Sequence, residues 1–449
     1  MFVEDLVEKC IGKQFKIECH NIEVYDDENC CTPIFKGPGI IEARENGRLT
    51  YKIYNQIPIN KDIFRYIRRF TDTDHSEISP SRFTAESYDN IKWNGSWTIP
   101  EIELLQGPYC LVYGEFDQLA AQIRERKIRE EDNYTELVFP GYIPLPYKGV
   151  VEEKLLHGRN LVSISRWKDH HEVNLEDLLI SFQVSPDRSR THVTVTCNNQ
   201  FDFPSIENWI TEALIFVTAQ MYFPRIIIRH LKDSKLVFLR STPKSHHSNM
   251  PPPFSGEHGT KDHLWKAFCS YLSECKSTNQ FEFLDITNGF LELCLASTGT
   301  LQGFLISIVT YIEFLVRLIF SENLGERDRD KIKALIEYVD SWSGDSSIKE
   351  RAKGILSILY KPPVNSMLKT LIEQGVITET HRDVWKKTRP HLAHGKIITH
   401  DREADFWHYR NHLISMMYRL IFRIIGYKGV AIDYDGNKFI YAPFEWRKR

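Results

Sequence analysis

The spacing of apolar residues changes once along this chain, and that change limits what each half can fold into. Up to about residue 200, apolar and polar side chains alternate. Gln14 to His20 does so, and so does Leu49 to Tyr54 after the turn signal Glu45-Asn-Gly47. Cys110 to Tyr113, Glu136 to Phe139, Leu178 to Phe182 and His192 to Thr196 repeat the pattern. A period of two sorts side chains onto the two faces of a strand. Gly37-Pro-Gly39 reads as punctuation ahead of a strand starting at Ile40. Short strands with turn residues between them predict a β-sandwich or a strongly bent antiparallel sheet. Phe116 to Glu131 fits either a short charged helix or a long strand.

From Ser205 the period becomes helical. Ser205 can cap, and Ile206, Trp209, Ile210, Ala213, Leu214 and Val217 form one apolar face. Pro224 stops that helix. Arg225 to Arg229 and Lys235 to Arg240 then read as a hairpin turning through Lys232-Asp-Ser234. Ser241 to Thr260 holds Pro243, Pro251-Pro-Pro253, Gly256 and Gly259 with few core formers, which is linker composition. The chain therefore divides into a β-rich region 1–204, a helix-plus-hairpin region 205–242 completing it, a linker 243–261, and a helical domain 262–449. The fold class expected is α+β multidomain.

Beyond the linker the pattern predicts helices at 263–276, 281–296, 301–320, 327–342, 348–360 and 363–374, separated by Gly344, Pro362 and Gly375. Leu301 to Phe320 is apolar nearly all round and is expected at the centre of a bundle. Its Gln302, Glu313 and Arg317 argue against a membrane span. Thr378 or Thr380 opens a short helix through Thr388. Pro390 disfavours helical geometry at Arg389, so that helix is expected to end or kink there. Asp401 can cap a long helix to Ile425 whose buried face is Phe406, Tyr409, Leu413, Met416, Leu420 and Ile424. Val430 to Ala442 reads as a hairpin turning at Asp435-Gly436.

At 449 residues the chain is too long for one ordinary core. Its net charge of -3 excludes a generally basic nucleic-acid coat, so an anionic partner must meet a local patch. Nine cysteines without a CxxC pair read as reduced cytosolic thiols, with no metal framework. Met1-Phe-Val-Glu-Asp has neither basic nor apolar leader character, so no signal peptide and a cytoplasmic location are expected. No P-loop, GxGxxG, HExxH or GxSxG occurs, and no cofactor is expected.

That local patch is Trp385-Lys-Lys-Thr-Arg389-Pro-His391-Leu-Ala-His394-Gly395-Lys396, four cations and two histidines without a carboxylate. A metal-free ribonuclease needs a group for the 2′-OH proton, an acid for the 5′-oxygen, and a cation for the charge on the phosphorane. His394 titrates in the right range. Arg389 offers a bidentate fork. Lys386, Lys387 and Lys396 can follow neighbouring phosphates. The same residues also suit a solvated basic turn, and Arg followed by His after four to six residues recurs elsewhere, as at Arg225/His230 and Arg402/His408. Context distinguishes Arg389/His394: an acid-free window between long apolar helices. Glu313, a charge in the most apolar segment, can pair with Arg317 one turn on, point to solvent, or reach across to Arg389 or His394. His170-His171 and His246-His247 read as loop histidines, and Trp93 and Trp97 as indoles buried by a strand pair.

With Arg389-Pro-His391-Leu-Ala-His394-Gly395 between its last two long helices, region 262–426 resembles a HEPN domain. The whole layout resembles the ApeA-type anti-phage defence proteins. The resemblance implies a metal-independent endoribonuclease acting in abortive infection, with Arg389 and His394 as the catalytic pair. It implies a composite site in a homodimer or higher homo-oligomer, cutting that leaves a 2′,3′-cyclic phosphate and a 5′-OH, and RNA substrates including tRNA. The β-rich half would then sense a trigger, such as a phage-derived one, or restrain activity. Many relatives carry Asn, Asp or His directly after the Arg; here Pro390 stands there and His391 is offered as the polar helper. The alternatives are a non-catalytic HEPN scaffold or nucleotide- or RNA-binding protein, and an enzyme acting on carbohydrate, for which no carboxylate pair stands at a recognisable motif.

Overall fold

The computed structural model describes residues 3–12, 15–26, 32–44, 47–56, 81–105, 109–124, 134–157, 160–197, 203–231, 234–241, 247–254, 260–278, 282–320, 326–358, 363–393, 398–399, 402–435 and 438–447. They form two compact units, Met1–Thr211 with Tyr222–His246, and Glu212–Met221 with His247–Arg449. The architecture is α+β: a large antiparallel sheet region first, then helices, then a C-terminal hairpin.

The first unit opens with helix α1 (Val3–Ile11), which the alternating pattern of this region does not predict. Strands β1 (Lys16–Tyr25), β2 (Phe35–Ala43), β3 (Leu49–Gln56), β4 (Arg82–Ser87) and β5 (Lys92–Gly95) follow. Next come β6 (Glu101–Leu104), β7 (Tyr109–Phe116), β8 (Gln118–Arg124) and β9 (Tyr134–Pro140). β10 (Gly149–His157), β11 (Asn160–Leu175), β12 (Leu178–Val184), β13 (Arg190–Cys197), β14 (Ile226–His230) and β15 (Ser234–Arg240) complete the set. All fifteen lie in one ladder in the order β10-β11-β12-β13-β9-β14-β15-β8-β5-β4-β1-β2-β3-β7-β6. Alternation explains it: β13 and β4 each bury every second residue, and a ladder keeps that register along its length. Ile22, Val24, Ile41, Tyr51, Phe83 and Trp93 fill one core.

Two local readings change and one open choice is decided. Gly37-Pro-Gly39 lies inside β2, where the β1–β2 register shifts between Cys19 and Ile22. Any Cβ at Gly39 would stand 2.1 Å from the Lys52 carbonyl, so the close approach of β3 requires glycine there. The segment after Phe116 is a strand, β8. His170 and His171 lie on β11 and not in a loop, because β11 runs sixteen residues through them.

Helix α2 (Phe203–Thr218) crosses the division between units: Glu207 belongs to the first and Glu212 to the second. Arg229 holds Glu207 with Nε and Nη2, each at 2.7 Å. The second unit holds α3 (Lys261–Thr278), α4 (Asp285–Ala296), α5 (Leu301–Ile319), α6 (Glu326–Ser341), α7 (Ser346–Ile358), α8 (Val364–Glu373), α9 (Glu379–Ala393) and α10 (Glu403–Ile424). A hairpin of β16 (Gly429–Asp435) and β17 (Lys438–Phe444) closes it, with Gly436 outside the described residues. Phe216, from α2, stacks on Tyr271 with centroids 4.8 Å apart and meets Phe290, Tyr418 and Phe422 edge-on.

The central helix is α10 and not α5. Every residue from His412 to Phe422 is buried, so its buried surface goes round the helix rather than along one stripe. It packs against α5, α9 and β16, which together enclose it. α5 is long and apolar enough in composition to cross a membrane. In this fold Phe304, Leu305, Ile308, Ile312 and Leu315 turn inward while Gly303, Ile306, Thr310 and Arg317 face outward.

Candidate active site

The cationic stretch lies on α9. Thr378 opens the helix: its hydroxyl accepts the His381 N–H at 3.3 Å, and His381 Nδ1 accepts the Thr378 N–H at 3.2 Å. These two bonds satisfy donors that a helix start leaves open. Val384, Trp385, Thr388 and Leu392 turn inward, and Thr388 returns its hydroxyl to the Val384 carbonyl at 2.8 Å. Lys386, Lys387, Arg389 and Pro390 are exposed.

The helix does not end at Arg389. It runs through Pro390 to Ala393. Proline removes the bond its own nitrogen would give to the Lys386 carbonyl and crowds that carbonyl with its ring, so the last turn must be held by other contacts. Leu392 is buried beyond it, and the His391 ring packs 5.1 Å from Phe406, so packing holds the final turn.

Arg389 is fixed from another helix. Its Nε donates to Glu313 Oε1 of α5 at 2.7 Å. Arg389 is 48% exposed at its side chain and Glu313 is 21% exposed. Of the three readings open for Glu313, the structure has the reach across the bundle; the recorded ion pair is with Arg389 and not with Arg317. An ion pair this exposed contributes about 0.2–1 kcal/mol, too little to explain a charge in so apolar a helix by stability alone. Its geometric effect is larger. The Nε edge is engaged, and among the described residues no other partner of Arg389 is recorded, which leaves the outer guanidinium edge for an oxyanion.

His394, Gly395 and Lys396 lie outside the described residues. The chain is next described at Ile398, whose N–H donates to Gln302 Oε1 near the start of α5 at 3.4 Å. Both flanks of the motif therefore touch α5, at Glu313 and at Gln302.

A polar network next to this helix escaped the sequence reading. Asp433 Oδ2 accepts from Arg419 Nη2 at 2.8 Å, its Oδ1 accepts the Tyr434 N–H at 2.9 Å, and His381 Nε2 stands 3.5 Å from Oδ1. Burial opposes ionisation of Asp433, but His381, Arg419 and that backbone bond outweigh it and hold the carboxyl at about 2. His412 and His408 face each other with Nε2 atoms 3.2 Å apart. Burial, with His381 and His408 nearby, lowers His412 to about 4. The signal that could have found this pair is their spacing of four on α10.

Among the described residues, no group of three His, Cys, Asp or Glu side chains is placed to hold a metal ion. His170 Nε2 stands 3.4 Å from Glu172 Oε1 of the same strand. His246 and the adjacent Cys30 and Cys31 lie outside the described residues. The described cysteines are free thiols. Trp93 is buried as expected, while Trp97 is 44% exposed.

Compared with known proteins, the chain matches no family model, no curated protein and no solved structure.

Proposed function

We propose that the helical unit is a metal-independent endoribonuclease of the HEPN type, with Arg389 and His394 as its catalytic pair. In this reading His394 moves the 2′-OH proton and Arg389 stabilises charge on the phosphorane. Lys386, Lys387 and Lys396 follow the RNA backbone, and Glu313 orients the guanidinium. His391 is the polar helper. RNA, with tRNA as one candidate, is the substrate; a homodimer supplies the composite site; the β-rich unit senses a phage-derived trigger or restrains cutting in anti-phage defence. The protein acts in the cytoplasm and needs no cofactor.

The observation that supports this most is Arg389 itself: an exposed guanidinium at the motif position, oriented by a carboxylate from a different helix. A cation of a merely solvated turn has no need of such a tether. The experiment compares wild type and His394→Ala on total RNA in EDTA. Cutting by wild type alone, with 2′,3′-cyclic phosphate ends, supports the reading. Equal cutting by both, or none by either under any trigger condition, ends it.

Pro390 favours the alternative of a non-catalytic HEPN scaffold or an RNA- or nucleotide-binding protein. It occupies the position where relatives of the resembled family carry a polar residue. That reading requires Arg389→Ala to keep biological function while interface substitutions abolish it.

A further inference from the structure

Four helix ends in the second unit converge on a pocket of about 340 Å³ that has no part in the site above. Glu274 stands near the end of α3, Leu284 and Asp285 at the start of α4, Leu318 at the end of α5, and Arg423 and Ile424 at the end of α10. The volume is at the small end of the range for organic ligands.

Its charges are unmatched. Neither Glu274 nor Arg423 has a recorded ion-pair partner among the described residues. Arg423 lies over the Trp446 ring at 3.8 Å, and its buried Nε makes no hydrogen bond. Burial raises the Glu274 carboxyl and lowers the Arg423 guanidinium, and no counter-charge offsets either. The two are therefore not partners of each other. Partly buried charges left this way are costly, and a ligand carrying the opposite charges removes the cost. Asp285 is accounted for separately, as an acidic residue in a first helical turn.

We propose that this pocket binds a small zwitterion with an aliphatic body, an aliphatic α-amino acid being the class that fits. Arg423 takes the carboxylate through its fork. Glu274 takes the ammonium, aided by the negative ends of α3, α5 and α10, which all terminate here. Leu284, Leu318 and Ile424 take the aliphatic side chain. The proposal is independent of ribonuclease activity.

The test uses the full chain and three probes differing only in charge: L-leucine, isoamylamine, which lacks the carboxylate, and isocaproate, which lacks the ammonium. Calorimetry should show leucine binding roughly tenfold or more tighter than either half-ligand, as expected for one lost charge-assisted contact. Arg423→Gln should bring leucine down to the level of isoamylamine, and Glu274→Gln to that of isocaproate. The proposal is overturned if leucine does not bind, if isoamylamine or isocaproate equals it on wild type, or if both variants bind leucine unchanged. The wild-type comparison decides even if a variant fails to fold.

Discussion

Glu313 Oε1 accepts the Nε proton of Arg389 at 2.7 Å across two helices whose sequence positions lie 76 residues apart. The bond fixes the plane of the guanidinium rather than the stability of the bundle. Glu313→Ala should therefore leave the denaturation midpoint within about 1 kcal/mol of wild type. With Arg389 acting on RNA as proposed, cleavage should fall on the order of a hundredfold, because a displaced catalytic group loses about that much. Unchanged cutting would show that Arg389 needs no orienting group.

Glu212 gives a contrasting case. Its Oε2 accepts the Leu284 N–H at 2.8 Å and also the Thr287 hydroxyl, so it caps α4 where Leu284 provides no side-chain cap. Glu212→Ala leaves a buried donor unpaired and should cost about 1–3 kcal/mol in urea denaturation. Glu212→Gln keeps an acceptor oxygen and should cost less. Equal losses would mean that charge, not the cap, matters.

Stability should fall as the solution is acidified from about pH 6.5 to 4. His412 has its folded value near 4 against an ordinary 6.5, so in that window the unfolded chain binds the extra proton. Folding is thus favoured above the window and weakened within it. His381, His408 and Asp433 face the same ring, and Asp433 extends the loss below pH 4 as its own carboxylate protonates. Thermal melts across pH should show the slope, and His412→Phe should flatten its upper part.

Pro390 offers a fourth measurement. Pro390→Ala restores an N–H to the last turn of α9 and should stabilise the protein by about 1 kcal/mol, well below the interior penalty of about 3. A destabilised variant would indicate that α9 depends on the proline ring.

The α+β class was legible because it rests on period, and the C-terminal hairpin because Asp435-Gly436 is a turn signal between two short runs. β11 was not: Arg166, Lys168, Asp169, His170 and His171 interrupt any apolar alternation, and only pairing with β10 and β12 makes it a strand. The rank of the helices was misread for a related reason. α5 has the more apolar composition, but α10 tolerates His412, Ser415 and Arg419 in its buried length because partners meet them, as Asp433 does for Arg419. At the site, Glu313 drew notice as a charge out of place. Its partner could not be chosen from sequence, since Arg317 is a neighbour on the same helix and Arg389 is close only once α9 packs on α5.

The loosest stretch of sequence is a poor place to divide this protein. A fragment beginning within the linker, at 247, would lack residues 212–221, and with them the Phe216 ring between Tyr271, Phe290, Tyr418 and Phe422 and the Glu212 cap on α4. Such an excised piece would expose an aromatic vacancy at its centre. The helical unit is thus encoded in two instalments, with the first one embedded in the chain of the β-rich unit.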